Sequence, residues 1–162
     1  MRQLPEIVEG VDITRWTTSI AELQYHGTTT VFCEIDKNPY SWIYLPDEAY
    51  RAHRIICTGN FAATNNAEGF MTGTIEFTDE ISKEEILRQL SIMPLHPKYI
   101  THRYHPYTYP IQDKETRSML QSFKNAMEHY GLYMTGRFVD WEYYNMDAAM
   151  LAAMRTADCI NL

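Results

Sequence analysis

A chain of 162 residues with 45% hydrophobic residues is long enough to bury a hydrophobic core, and its length fits one domain. A net charge of −7 and the lack of any basic run argue against a nucleic acid or an anionic membrane as partner. The sequence has no run of about 18 apolar residues and a polar start without a signal-peptide core, so it predicts a cytoplasmic protein with no membrane contact.

The cysteines are odd in number and far apart, at positions 33, 57 and 159, and no Cys-x-x-Cys pair occurs. This pattern argues against a disulfide framework and against a zinc site, so we expect buried free thiols. His102 and His105 lie three apart in a predicted strand, which sends them to opposite faces. The sequence therefore predicts no metal site.

The first half of the chain is dominated by predicted β-strands. The sequence of residues 4–16 gives mixed signals for secondary structure, and residues 11–14 fit either a short strand or a turn. Segments dense in β-branched and aromatic residues then predict four strands, at residues 28–36, 41–45, 54–58 and 70–77. The second is expected to form a hairpin with the first, and successive β segments favour an antiparallel sheet.

The second half adds helices to this sheet. Ser82-x-x-Glu85 is a capping box, and Ile81 with Ile86 forms a hydrophobic staple, so a helix begins at this point and ends before Pro94. Further on, the pattern predicts a strand at 99–104 running toward 107–111, a helix at 113–130 ended by Gly131, and a short strand at 132–135. The predicted fold is α+β, with a mostly antiparallel sheet of about six strands and two or three helices packed on it.

A distinctive segment follows, from Gly136 to Asp147. Gly136-Arg137 and an aromatic run precede Asn145-Met146-Asp147, which begins an apolar-periodic helix. Asn145 suits the N-cap, and Asp147 suits the positive end of the helix dipole. With Arg137 nearby, the exposed N–H groups suit an anionic or carbonyl-rich ligand, whereas the alternative is an ordinary capped helix after an aromatic loop.

The residue order of this segment resembles the C-terminal flavin-contacting segment of UDP-galactopyranose mutases. It also resembles related FAD-dependent, amine-oxidase-like and protoporphyrinogen-oxidase-like enzymes. Three further pieces resemble the same family in the same order. They are Arg54-Ile55 with Phe61, the segment Tyr107-Thr108-Tyr109-Pro110-Ile111, and the helix 113–130 with the strand before Gly136. Four pieces in sequence are more specific than any one of them.

The resemblance implies roles for eight residues. It implies substrate binding by Arg54, Tyr109 and Tyr143, and cofactor binding by Gly136, Arg137, Asn145, Met146 and Asp147. The implied cofactor is FAD and the implied substrate is a nucleotide sugar. From the residues alone, Arg54 could instead pair with Glu34 or Glu76, and the tyrosines could fill a core or an interface. Glu142 stands where many mutases have a basic residue, and Asn145 where they often have Asp, so the substrate is not fixed by the resemblance.

The glycine positions show that this chain lacks one motif of the family it resembles. No two of the seven glycines are spaced Gly-x-Gly, so the fingerprint that holds the FAD pyrophosphate is absent. We therefore expect residues 1–131 to be a substrate-side domain and 132–162 to complete the FAD-binding domain of a longer enzyme. The expected partner is the missing N-terminal FAD-binding half, without which the chain binds no FAD and is inactive.

Two consequences of this interpretation can be tested. The segment from Leu132 onward should expose faces of Met and Ala, and such faces favour a homodimer.

The alternative function is a free-standing, aromatic-rich module that binds a ligand or a protein without catalysis. The sequence supplies no nucleophile–base pair, metal cluster or phosphate loop for an independent enzyme.

Overall fold

The computed structural model describes residues 1–160, and the chain forms two compact units. The first unit combines Met1–Tyr25 with the chain from Tyr109 onward, and the second unit is His26–Thr108. The helices are α1 (Leu4–Ile7), α2 (Thr14–Ala21), α3 (Lys83–Leu90), α4 (Thr116–Glu128) and α5 (Met146–Ile160). The strands are β1 (Gln24–Ile35), β2 (Trp42–Tyr44), β3 (Ala52–Ile56), β4 (Met71–Thr78) and β5 (Lys98–Ile111). The predicted α+β class is confirmed.

The five strands form one sheet in the order β2-β3-β4-β1-β5. The predicted segments 99–104 and 107–111 are one continuous strand, β5. Pro106 and Pro110 lie within this strand, and proline is tolerated there because β5 is an edge strand. The division of the chain at residue 131 concerns the longer enzyme and stays a prediction.

The predicted hairpin between the first two strands is wrong. β2 pairs with β3, with Ile43 opposite Ile55, whereas β1 pairs antiparallel with β4, with Val31 opposite Ile75. The β1–β4 register aligns the buried residues of both strands, and burial of one face specifies register more strongly than closeness in the chain. A long-range pairing therefore replaces the local one.

One face of the sheet packs against α3 and forms the core of the second unit. This core contains Val31, Cys33, Ile35, Ile55, Ile75 and Phe77 from the sheet and Ile81, Ile86, Leu90 and Met93 from the α3 region. The predicted start of α3 is confirmed, because the Glu85 N–H donates to Ser82 Oγ at 3.3 Å. The opposite sheet face carries partly buried side chains that include Thr30, Phe32, Arg54 and Glu76.

The first unit has its own core between α2 and α4. The sequence pattern did not predict α2, because its threonines and Ile20 favour a strand by propensity. Trp16 and Ile20 lie four residues apart on one helix face and are both buried. The Trp16 ring packs edge-on against Phe123 of α4, with centroids 5.3 Å apart. Tertiary packing has here overridden local propensity.

The end of α4 is confirmed, but the strand predicted after it is wrong. Gly131 adopts φ +73°, a left-handed conformation that glycine reaches without steric cost, and the Leu132 N–H donates to the Met127 carbonyl at 3.1 Å. Residues 132–135 are irregular. Leu132 and Met134 nevertheless pack against the α2–α4 core, so this segment buries apolar surface without joining a sheet.

The three cysteines are free thiols, as predicted, but Cys159 is exposed and the expectation of burial is wrong there. Cys33 and Cys57 are both fully buried, and burial raises the pKa of the Cys33 thiol to about 12. We therefore expect one thiol per chain to react rapidly with Ellman's reagent at pH 8, and this thiol should be Cys159. The Cys159→Ser variant should lose the rapid phase, and a second rapid thiol in the native protein would contradict this burial.

Candidate functional site

Three of the predicted site residues meet in the first unit. The Tyr109 and Tyr143 rings are stacked, with centroids 5.6 Å apart and planes 9° apart. The Arg137 guanidinium carbon lies 5.1 Å from the Tyr109 centroid and 4.6 Å from the Tyr143 centroid. These three side chains form what we call the arginine–tyrosine cluster. Tyr143 is 59% exposed, so a ligand can reach the cluster from solvent.

A tight turn positions Arg137. Gly136 adopts φ +110°, where a Cβ would be strained, and its carbonyl accepts N–H bonds from Val139 and Asp140, both at 2.9 Å. The Gly136 N–H donates to Asp140 Oδ2 at 3.2 Å. The Glu142 N–H donates to the Arg137 carbonyl at 3.2 Å, which closes the next turn. The conformation therefore requires glycine directly before the arginine.

Trp141 anchors this segment to the core of the first unit. Its side chain is 2% exposed, and its indole N–H donates to the Gln24 carbonyl at 2.8 Å and is 3.2 Å from the Ile111 carbonyl. Its backbone has φ +52°, which is unusual for a bulky residue. The sequence pattern did not predict this role of Trp141. The only signal was a tryptophan within an aromatic run, which does not reveal burial.

Two ion pairs tie the same segment to α4. Lys124 contacts Asp140, and Arg117 Nη2 lies 2.5 Å from Glu142 Oε1. Burial raises the pKa of Glu142, but hydrogen bonds from Gln112 and Arg117 outweigh it and hold the pKa below its ordinary value. The acidic Glu142, noted above as a departure from the mutase pattern, thus has a structural partner in Arg117.

The predicted cofactor residues at the start of α5 are exposed. Asn145 immediately precedes the helix and accepts the Ala149 N–H through its carbonyl at 3.0 Å. Met146 is 86% exposed, and Asp147 lies in the first turn. The helix start is confirmed, and the side-chain N-cap by Asn145 stays a prediction.

Arg54 lies in the second unit and pairs with Glu76, which was one of the two carboxylates the sequence offered. Arg54 Nε is 2.5 Å from Glu76 Oε2, and the guanidinium carbon is 5.1 Å from the Trp42 centroid. His53 Nε2 also lies 3.3 Å from Glu76 Oε2. Burial raises the pKa of Glu76, but hydrogen bonds from His53 and Arg54 outweigh it and lower the pKa overall. A role of Arg54 in substrate binding stays a prediction.

Residues 1–160, the part of the chain that the structure describes, contain neither a metal-binding cluster nor a membrane-spanning helix. Within that range, no three His, Cys, Asp or Glu side chains are grouped so that they could hold a metal ion. His102 instead has its Nδ1 2.7 Å from the Tyr99 hydroxyl. No helix in the same range has both the length and the apolar character to cross a membrane.

Solved structures that contain the same α+β fold belong to enzymes with much longer chains. The chain matches a crystal structure of reduced UDP-galactopyranose mutase with a TM-score of 0.74 and 16% identity, over 93% of this chain and 36% of that one. It also matches a protein assigned as a protoporphyrinogen oxidase from Exiguobacterium sp. 255-15, with a TM-score of 0.56 and 11% identity, over 87% of this chain and 37% of that one. At these identities the likeness is one of fold alone.

Sequence comparisons add nothing to this likeness. No protein-family model matches the chain, and no curated protein matches it. The chain spans about a third of the length of the solved chains that it resembles.

Proposed function

We propose that this chain is the substrate-binding and flavin-contacting portion of a FAD-dependent, UDP-galactopyranose mutase-like oxidoreductase that acts on a nucleotide sugar and is inactive without its other half. The observation that carries the proposal is the arginine–tyrosine cluster. Tyr109 comes from one motif of the resemblance, whereas Arg137 and Tyr143 come from another motif more than 25 residues away in the chain, and all three meet. The fold likeness to the mutase supports the same proposal.

The cluster has the chemistry to hold a diphosphate, so we propose that Arg137 contacts the substrate, whereas the resemblance implied that it contacts the cofactor. A guanidinium group is permanently charged and presents its donors in a planar fork that matches phosphate oxygens. The two tyrosine rings restrict its position through cation–π contacts, so less entropy is lost when a ligand binds. Their hydroxyl groups are further donors, and together these groups would orient the diphosphate and stabilise charge that develops on it as a leaving group.

The residues present fit only one part of FAD. The N-terminus of α5, with Asn145 and Met146 exposed, offers backbone N–H groups that suit the carbonyl-bearing edge of a flavin ring. The pyrophosphate has no cradle, since the chain has no Gly-x-Gly spacing. FAD supplies the redox or nucleophilic chemistry when bound, and this chain would contribute orientation and charge.

The binding test compares the chain alone with a form that includes a dinucleotide-binding half, supplied by the longer gene product or by co-expression. We expect FAD absorbance and UDP-sugar binding, measured by calorimetry, in the longer form only. Stoichiometric FAD in the chain alone would contradict the proposal, because that chain has no pyrophosphate site. Binding in neither form would favour a module without catalysis.

Arg137 gives a sharper prediction in the longer form. Replacing it with alanine should weaken UDP binding by about 10- to 100-fold, because a charge-assisted contact is worth about 1.5–3 kcal/mol. Lys114→Ala is the matched control, since it removes one positive charge from an exposed site of the same unit. Equal losses in the two variants would show a general charge effect and contradict a specific contact.

One observation favours the second candidate function, a non-catalytic binding module. Tyr40, Trp42, Tyr44 and Phe61 are between 45% and 69% exposed on or beside the edge strand β2. The Trp42 and Phe61 rings are 5.9 Å apart, which leaves an aromatic surface suited to stacking on a sugar or a base. Ligand binding by the chain alone that is lost in Trp42→Ala and kept in Arg137→Ala would support this alternative.

A further inference from the structure

A cavity of about 350 Å³ lies between the start of α2 and the end of α4 in the first unit. It is lined on the α2 side by Asp12, Arg15 and Trp16, and on the α4 side by Met127, His129 and Tyr130. None of these residues belongs to the arginine–tyrosine cluster or to the start of α5, so the cavity is separate from the candidate site described above. Ligand-binding cavities usually measure about 300–1,000 Å³, so this one suits a molecule of one or two rings.

The floor of the cavity is apolar. Trp16 is 6% exposed and Met127 is 1% exposed, and the Trp16 ring is held by its contact with Phe123. Tyr130 directly follows the end of α4 and is 64% exposed, which leaves most of its ring open to a ligand at the rim. Aromatic rings and the methionine thioether both make favourable contacts with an aromatic ring. These side chains therefore suit an aromatic ligand.

The rim carries an arginine that is held in position. The Arg15 guanidinium carbon lies 3.7 Å from the centroid of the Trp16 ring, and this cation–π contact restricts a side chain that is otherwise exposed. Asp12 lies on the same rim, but its Oδ1 accepts the Thr14 N–H at 3.0 Å, and within residues 1–160 no ion pair joins Arg15 to another side chain. The guanidinium donors are therefore available to a ligand, and their planar fork matches the two oxygens of a carboxylate.

The two helix ends at the cavity act on an anion in opposite directions. The start of α2 is the positive end of its dipole and favours an anion, whereas the end of α4 is the negative end and opposes one. At the α4 end, the Met127 carbonyl accepts the N–H groups of Tyr130 at 2.9 Å and Leu132 at 3.1 Å, which reduces this repulsion. The Asp12 carboxylate offsets part of the Arg15 charge, so binding of an anion depends on direct contact with the guanidinium.

We propose that this cavity binds a small aromatic carboxylate. The carboxylate accepts N–H bonds from Arg15 at the rim. The aromatic body packs against Trp16, Met127 and Tyr130. One charged contact and one or two rings in an open cavity support a dissociation constant of roughly 0.1–1 mM. The proposal does not depend on the mutase-like function, because every group that it uses belongs to this chain.

Titration of the full, nitrogen-15-labelled chain with 2-naphthoate, followed by amide chemical shifts in two-dimensional NMR, tests the proposal. We expect saturable shifts that are largest within residues 12–16 and 126–131. The neutral isostere 2-naphthamide should bind about tenfold more weakly or worse, because it offers no charge to the arginine. The absence of saturable shifts up to about 5 mM 2-naphthoate, equal binding of the two compounds, or shifts centred on the exposed helix α5 would overturn the proposal.

Two variants and a matched control assign the contacts. Arg15→Gln should raise the dissociation constant for 2-naphthoate about tenfold or more. Arg2→Gln is the control, since the Arg2 guanidinium carbon lies 4.9 Å from the Tyr25 centroid, in the same unit but outside the cavity. Tyr130→Ala removes an exposed ring and keeps the arginine, so it should weaken binding of both compounds by the same factor, about three- to tenfold. Equal losses in Arg15→Gln and Arg2→Gln, or unchanged binding in Tyr130→Ala, would overturn the proposed site.

Discussion

Replacing Trp141 with alanine is expected to lower the free energy of unfolding by about 3–5 kcal/mol, the usual cost of removing a buried large aromatic side chain. The indole is almost fully buried among the α2–α4 core residues, and it satisfies the Gln24 carbonyl. Its loss leaves a cavity and an unpaired acceptor. Urea unfolding followed by far-UV circular dichroism measures the change, and the midpoint should fall without a large change in slope.

Two control variants distinguish the loss of buried packing from the loss of the hydrogen bond and from the loss of any tryptophan. Trp141→Phe keeps most of the packing but removes the N–H donor, so it should cost about 1–3 kcal/mol. Trp42→Ala removes the same residue type from a site that is 45% exposed, so it removes less buried surface and should cost less than Trp141→Ala. If Trp141→Ala costs no more than Trp42→Ala, Trp141 is not the anchor described above.

The anchor also matters for the candidate site. Trp141 lies between Arg137 and Tyr143 in the chain, and its side chain points into the core while those two residues meet Tyr109. A cluster whose supporting residue is lost keeps its chemistry but loses its fixed geometry. Trp141→Phe should therefore weaken UDP binding by the longer form less than Arg137→Ala does.

Arg54→Ala is expected to cost about 3 kcal/mol at pH 7. Only 19% of the Arg54 side chain and 15% of the Glu76 side chain are exposed, so the variant leaves a carboxylate that is largely buried without its arginine. Removing one partner of a buried ion pair is costly for this reason. Arg51→Ala is the control, since Arg51 pairs with Glu85 from a side chain that is 54% exposed and should cost less than about 1 kcal/mol.

The pH dependence of this cost has a definite sign. The pKa of Glu76 is lowered from 4.5 in the folded protein, so its contribution to stability is complete above that pH and is lost as the pH falls through the folded pKa. In Arg54→Ala the pKa rises, and protonation relieves the buried charge. The difference in unfolding free energy between wild type and variant should therefore shrink below about pH 4. A difference that is constant from pH 7 to 3 would contradict the ion-pair account.

This experiment also bears on the role proposed for Arg54. The variant loses structure and a predicted ligand contact together, so weaker substrate binding alone does not prove the contact. Stability and UDP binding have to be measured on the same variant. A loss of binding that persists at pH values where stability is restored would support direct contact.

The parts of this protein that its sequence determined are those governed by neighbours in the chain. The capping box at Ser82, the strands rich in β-branched residues and the glycine at position 131 all follow from local backbone chemistry, and the structure confirms each of them. The approximate positions of five strands and three helices, and hence the α+β class, followed from these signals. The resemblance also singles out Tyr109, Arg137 and Tyr143, which the structure brings together.

The tertiary structure decided what depends on residues far apart in the chain. It paired β1 with β4 instead of β2, since matching buried faces stabilise a sheet more than a short connection does. It made a helix of a threonine-rich segment, because Trp16 and Ile20 could then be buried on one face. It paired Arg54 with Glu76 in an ion pair and buried Trp141 in a core. The local sequence specifies neither arrangement. Three of these cases share one physical reason: burial is a property of the folded chain, and the free energy of burying apolar side chains outweighs local propensity. The pairing of Arg54 with Glu76 follows instead from the β3–β4 register, which sets the two residues opposite each other.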